Sequence, residues 1–325
     1  MASLPLTFSC VVYDRMLPLY LGEVSPQGID LNFISNPSPR DTFDRMAGGQ
    51  EFDAAEFSSS EFISRRGADT CPFVALPVFP SRMFRHSFIT VNSRIVKAPK
   101  DLAGKRIGVP LYTMTAAVWI RGMLQNDYGV DLSKVQWVQG AINKSGRHGN
   151  PTVPPLLKPV AIENNTSDKS LGELLTEGAL DAIIGTDVPT TLNRDPNVKR
   201  LFPNFPEVER DYYKRTGIYP IMHLVALKRT VYEQHPFIAS SLYKAFNQSK
   251  AIALARMRFG GMLQTMMPWT LRHVEEMDDV FGDDPWPYGV DANRKTLEAL
   301  VSYMVQQSLI AKPMSVDELF VPVFV

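Results

Sequence analysis

From Leu4 onward, short apolar runs alternate with amphipathic stretches, and the rhythm starts twice. Strands that alternate with helical patterns are the signature of an α/β protein. Leu4–Val12, Gly28–Ile34, Phe52–Phe57 and Phe73–Val78 read as strands, with helices over Pro39–Ala47 and Ser59–Arg66. Ser87–Asn92, Lys105–Val109, Val135–Val138, Val160–Glu163 and Ala179–Gly185 read as a second set, with a helix over Thr113–Asn126. The stretch from Gly140 to Pro159 is rich in Gly, Pro and Asn and reads as a long surface loop. Ile221–Leu227 is again strand-like, and from Pro236 the pattern is mainly helical, interrupted at Phe281–Tyr288.

Two segments resemble each other, Glu51–Ser58 and Gly178–Asp187. Each sets Asp-Ala at the start of a buried strand and polar groups at its carboxyl end. This predicts two similar lobes, residues 1–88 with 222–325 and residues 89–221, opening on one cleft. Ligands of such sheets bind beyond the carboxyl ends of the strands. Ser58, Ser59 and Ser60 are therefore expected to line the cleft from one lobe, and Thr186 and Asp187 from the other.

Composition narrows the function. The chain has 34 Lys plus Arg and 34 Asp plus Glu, a formal net charge of zero, which gives no support for a nucleic-acid or membrane-surface partner. No apolar run reaches membrane-spanning length. The N-terminus, Met1-Ala2-Ser3-Leu4-Pro5, has neither a charged region nor a long apolar one, so a cytoplasmic location is expected. The two cysteines, Cys10 and Cys71, read as buried thiols rather than a disulfide framework or zinc site. No histidine pair has metal-ligand spacing and no Gly-rich phosphate loop follows a strand, so neither a metal nor a cofactor is expected.

Certain runs are more specific. Lys100-Asp101-Leu102-Ala103-Gly104-Lys105-Arg106-Ile107-Gly108-Val109-Pro110 resembles the start of the second lobe in type II periplasmic-binding-protein folds. Pro77-Val78-Phe79-Pro80-Ser81-Arg82-Met83-Phe84-Arg85-His86-Ser87, Met114–Gly122 and Arg215–His223 resemble the 4,5-dihydroxyphthalate decarboxylase family. So do Tyr13-Asp14-Arg15, Ser241–Phe246 and Trp286-Pro287-Tyr288-Gly289. The similarity runs from about residue 5 to about residue 320. It implies a two-lobed fold with a hinge and conversion of 4,5-dihydroxyphthalate, or a close analogue, to protocatechuate and carbon dioxide. The loop from Gly140 to Pro159 departs from the family's usual pattern. A non-catalytic binding protein for an aromatic acid is the alternative on the same fold. A thiamine-pyrimidine synthase is a further alternative, but that family uses a cysteine-rich stretch that this chain lacks.

Such a decarboxylation needs a proton at the ring carbon that loses its carboxylate, a cation fork for a carboxylate, and a dry pocket. Histidine suits the first need and arginine the second. His86 and His223 each sit at or beside the start of a strand expected to cross between lobes. Arg82 is the expected carboxylate clamp and His86 the acid or orienting group, with Arg85 beside them; an interlobe salt bridge is the other reading of this cluster. Tyr112, Thr113 and Thr115 open a helix whose N-terminus could hold a carboxylate, whose first turn those threonines could equally cap. Asp14 and Arg15 follow the first strand and either reach the cleft or cap the next helix. Asp187 either meets a ring hydroxyl or caps a turn, and Trp286 either walls the cleft or packs in the core. The helical C-terminal third leaves room for self-association.

Overall fold

The computed structural model describes residues 3–324. Its first part runs β1 (Leu4–Cys10), α1 (Leu17–Tyr20), β2 (Ile29–Ser35), α2 (Pro39–Gly49), β3 (Ala54–Ser58), α3 (Ser59–Gly67) and β4 (Phe73–Arg82). Then come β5 (Ile89–Asn92), β6 (Arg106–Val109), α4 (Thr115–Asn126), β7 (Gln136–Gln139), β8 (Ile162–Asn164), α5 (Leu171–Thr176), β9 (Ala182–Ile184), β10 (Val198–Arg200) and α6 (Phe205–Thr216). The chain closes with β11 (Ile221–Lys228), α7 (Arg229–Gln234), α8 (Phe237–Arg258), α9 (Thr270–Phe281) and α10 (Arg294–Gln306).

The strands form two sheets, one of order β2-β1-β3-β11-β4 and one of order β10-β5-β9-β6-β7-β8. β1, β2 and β3 are parallel, while β11 runs antiparallel to both β3 and β4. The start of β11 and the end of β4 therefore meet the carboxyl end of β3. Expected and observed strands agree to within a few residues. The passages between sheets, however, are made by residues 83–88 and 201–220, ahead of the two strands expected to cross. α5, β10 and α6 are further elements, beyond those read from the sequence. The helical C-terminal part is broken at 259–269 as well as after Phe281.

The likeness of the two Asp-Ala segments has a physical basis. Asp53 Oδ2 accepts the Thr7 amide at 2.9 Å, tying β3 to β1, and Asp181 Oδ2 accepts the Arg106 amide at 2.9 Å beside the β9–β6 pair. Each aspartate satisfies a backbone donor where a parallel ladder begins.

β4 departs from a regular strand for a reason visible in its sequence. Pro77 and Pro80 cannot donate to a ladder. The pairing with β11 slips on both sides of His223, whose ladder partner is Ser81, while Val225 pairs with Leu76. The residues bulged out between them free their carbonyls. Pro77 O accepts the Gly289 amide, Phe79 O the Trp286 indole and Pro80 O the Arg15 guanidinium. α4 packs against α10 so closely that a Cβ on Gly122 would lie 2.1 Å from the Tyr303 ring. Only glycine fits there.

Candidate active site

β3 is buried along its whole length, and Glu56 lies inside it at 0% exposure. A buried carboxylate is costly unless every lone pair finds a donor. Here Oε1 accepts from Tyr13 Oη at 2.7 Å and from His223 Nδ1 at 2.6 Å. Oε2 accepts from the Val11 amide at 3.2 Å and the Cys10 thiol at 3.3 Å. Burial pushes the Glu56 carboxyl up, but His223 and the hydrogen bonds from His223, Tyr13 and Val11 outweigh it and hold it below the ordinary value. Burial and the neighbouring Glu56 push the Tyr13 phenol and the Cys10 thiol up, so both stay protonated and donate.

His223 stands where the β4–β11 ladder slips, and such irregularities re-aim side chains. Its Nδ1 is taken by Glu56, Phe43 meets its ring edge-on at 4.8 Å, and its Nε2 bonds to no described residue. An imidazole oriented by a carboxylate through one nitrogen presents the other for proton transfer, the logic of a carboxylate–histidine pair.

Opposite His223 on β3 is Ser58, and after it α3 begins. The first turn of α4 meets this point from the other sheet. Thr115 Oγ1 lies 3.0 Å from Ser58 Oγ and accepts the Ser60 amide at 3.0 Å, while Ser60 Oγ donates to the Thr113 carbonyl at 2.8 Å. Thr115 thus spans to the facing helix instead of capping its own, whose N-cap is Met114. Ser59 Oγ and Thr113 Oγ1 are buried without a partner. The starts of α3 and α4 thus meet at Ser58, Ser60 and Thr115, next to the ladder partner of His223, a setting suited to an anion.

The other expected residues fall into separate places. Asp14, Arg15 and Trp286 share a cavity of about 170 Å³ with Tyr219 and Lys250. The Arg15 guanidinium there is stacked between the Tyr13 ring at 4.3 Å and the Trp286 ring at 4.0 Å. Arg82 spends its fork on Asn293 Oδ1, the Pro287 carbonyl at 2.7 Å and the Tyr219 carbonyl at 3.4 Å. Arg85 Nε reaches the Met222 sulfur at 3.2 Å. His86 is caged by Tyr128, Phe202 and Tyr212, with both ring nitrogens unbonded and Glu209 Oε1 3.8 Å from Nδ1. Burial draws His86 down to about 4 and pushes Glu209 up to about 7. Asp187 closes its own turn, accepting from the Val188 amide at 2.8 Å and Asn143 Nδ2 at 3.0 Å. The Tyr112 ring lies against Arg121 and Trp137.

The long loop after β7 crosses to the five-stranded sheet. The Asn150 amide donates to Asp44 Oδ2 at 2.9 Å, and Arg65 holds Thr152 Oγ1 at 2.9 Å. A cavity of about 430 Å³ lies beneath it, lined in part by Leu111, Gln139, His148 and Asn165. Among the described residues, no group of three or more His, Cys, Asp or Glu is placed to hold a metal ion.

Over 324 residues, 99% of this chain and 98% of the relative, the sequence is 35% identical to a 4,5-dihydroxyphthalate decarboxylase of Comamonas testosteroni. The chain belongs to the 4,5-dihydroxyphthalate decarboxylase family. A second relative of that description, from Pseudomonas putida, is 37% identical over 66% of this chain and 83% of its own length. Residues 25–146 match a family described as NMT1/THI5 like. The fold of this decarboxylase-family chain is that of the periplasmic binding proteins. A sulfonate-binding SsuA from Methylobacillus flagellatus superposes with a TM-score of 0.54 at 14% identity, covering 99% of this chain and 93% of its own. Sequence reasoning passed over Glu56 in this family member, although a carboxylate inside an otherwise apolar strand, Ala54-Ala55-Glu56-Phe57, is the signal that points to it.

Proposed function

We propose that the chain catalyses non-oxidative decarboxylation of a dihydroxylated aromatic dicarboxylate, 4,5-dihydroxyphthalate or a close analogue. The observation that carries this reading is the Glu56–His223 pair, set opposite Ser58 where the starts of α3 and α4 meet. A substrate carboxylate would sit at the first turns of α3 and α4, taking the hydroxyls of Ser59 and Thr113. A ring hydroxyl para to the departing carboxylate supplies electron density, and Nε2–H of His223 delivers a proton to the ring carbon. The carbon–carboxylate bond then breaks, carbon dioxide leaves, and its electron pair restores the aromatic ring. Glu56 steadies the imidazolium before the proton is given up and fixes the ring's orientation afterwards. In this reading Arg82, Arg85 and His86 act through the packing of residues 83–88, not on substrate.

The same reading takes residues 1–88 with 222–325 and residues 89–221 as two lobes that close on the substrate, with the loop at 140–159 as a strap that helps exclude water. It places the protein in the cytoplasm, working without a metal or cofactor, as a homo-oligomer. Among the described residues no helix is long and apolar enough to cross a membrane. The test is incubation with 4,5-dihydroxyphthalate, with and without chelator, following carbon dioxide and the dihydroxybenzoate product. Stoichiometric release of both is expected. Tight binding without turnover overturns the reading in favour of a binding protein.

A further inference from the structure

Arg121 sits in α4 at 0% exposure. Its Nε donates to Gln307 Oε1 at 2.8 Å and its Nη2 to the Tyr112 carbonyl at 2.8 Å, while its Cζ lies 3.7 Å from the centre of the Tyr112 ring. Its Nη1 is buried with no partner. Arg121 forms no ion pair with any described residue. A buried cation without a counter-charge carries a large desolvation cost, and proteins ordinarily pair it.

Next to it is a cavity of about 320 Å³, walled by Tyr112, Arg121, Trp137, Lys158 and Gln307. The Tyr112 and Trp137 rings meet edge-to-face at 5.5 Å and give it an aromatic side. Lys158 is exposed at its rim and likewise makes no ion pair with a described residue. No aspartate or glutamate lines the cavity. It opens beside the end of α10 and the approach to β8, away from the Glu56–His223 network.

We propose that this cavity is a second ligand site, for a small aromatic carboxylate. The carboxylate would meet Arg121 Nη1 and Lys158, and the ring would lie against Tyr112 and Trp137. Its size suits one substituted benzene ring, and the occupant's carboxylate would supply the counter-charge that Arg121 lacks. An occupant would also brace Tyr112, whose amide is held by Gln139 Oε1 at 2.9 Å and which stands three residues before Thr115.

The test follows the indole N–H resonance of Trp137, assigned by Trp137→Phe, during titration of the whole protein with benzoate and, separately, with inorganic phosphate. Benzoate is expected to shift it saturably. Lys158→Glu, an exposed change that leaves the core intact, should weaken that titration about tenfold, and Arg121→Gln should remove it. No benzoate-induced shift, an unaltered titration in Lys158→Glu, or a shift with phosphate alone would each overturn the proposal.

Discussion

The Nδ1 of His223 lies 2.6 Å from Oε1 of Glu56, joining β11 to β3 through their side chains. The pairing follows from strand periodicity. Glu56 and Ser58 share a face of β3, and His223 is the ladder partner of Ser58, so His223 and Glu56 are diagonal neighbours within reach of each other. The slipped β4–β11 ladder at His223 then frees the ring to turn toward the carboxylate.

If this pair moves the proton, Glu56→Gln should keep the shape of the network and lose its charge. Turnover should fall by about 10²–10⁴-fold with KM changed little, because the interaction acts in the transition state. His223→Asn should fall as far, and the double variant no further. Steady-state kinetics on the three variants, with circular dichroism to verify folding, check this. Additive losses would show two independent roles.

Much of this site was legible before the fold was known, and the boundary is physical. Asp53 and Asp181 marked two equivalent strand starts because a parallel ladder needs its first amide satisfied, and that need is local. Ser58, Ser59, Thr113 and Thr115 followed from where strands end and helices begin. The partner of His223 did not, since it depends on register between strands about 165 residues apart. Arg82 and His86 draw attention in the sequence because an arginine and a histidine lie within five residues. Burial gives them other surroundings: a carbonyl cage for one and an aromatic cage for the other.

The hydroxyls of Ser59 and Thr113 carry the second prediction. Ser59→Ala and Thr113→Ala each remove a buried oxygen that bonds to no described residue, so thermal stability should barely change. Each should raise KM about tenfold or somewhat more if the hydroxyl holds the substrate carboxylate, since a hydrogen bond to a charged group is worth roughly 1.5 kcal/mol or somewhat more. Unchanged KM in both would move the carboxylate elsewhere.

Arg82 separates a clamp from a staple. Its bonds to Asn293, Pro287 and Tyr219 tie β4 to the segment before α10 and to the approach to β11. Arg82→Met should strand those buried acceptors and lower unfolding free energy by about 2–4 kcal/mol in urea titrations. KM in the folded fraction should stay close to wild type. A stable variant with a sharply raised KM would restore Arg82 to the substrate.

The last prediction concerns pH. Glu209 Oε1 accepts the Ser87 amide at 3.3 Å and faces His86 at 3.8 Å. Burial lifts Glu209 from 4.5 to about 7, so the folded chain holds a proton there that the unfolded chain releases earlier. That contribution is full below pH 4.5 and is lost as pH rises through 7. Burial lowers His86 from 6.5 to about 4, so its contribution is full above pH 6.5 and is lost as pH falls toward 4. Between about pH 4.5 and 6.5 the two oppose each other. Glu209→Gln removes one and leaves the other, so stability should climb more steeply with pH across this window, by roughly 1–3 kcal/mol. Urea denaturation at pH 5, 6 and 7 measures the slope independently of any uniform loss from the substitution. Parallel profiles for wild type and variant would mean that Glu209 is ionised throughout, and that the residue 83–88 crossing is held by charge and not by a shared proton.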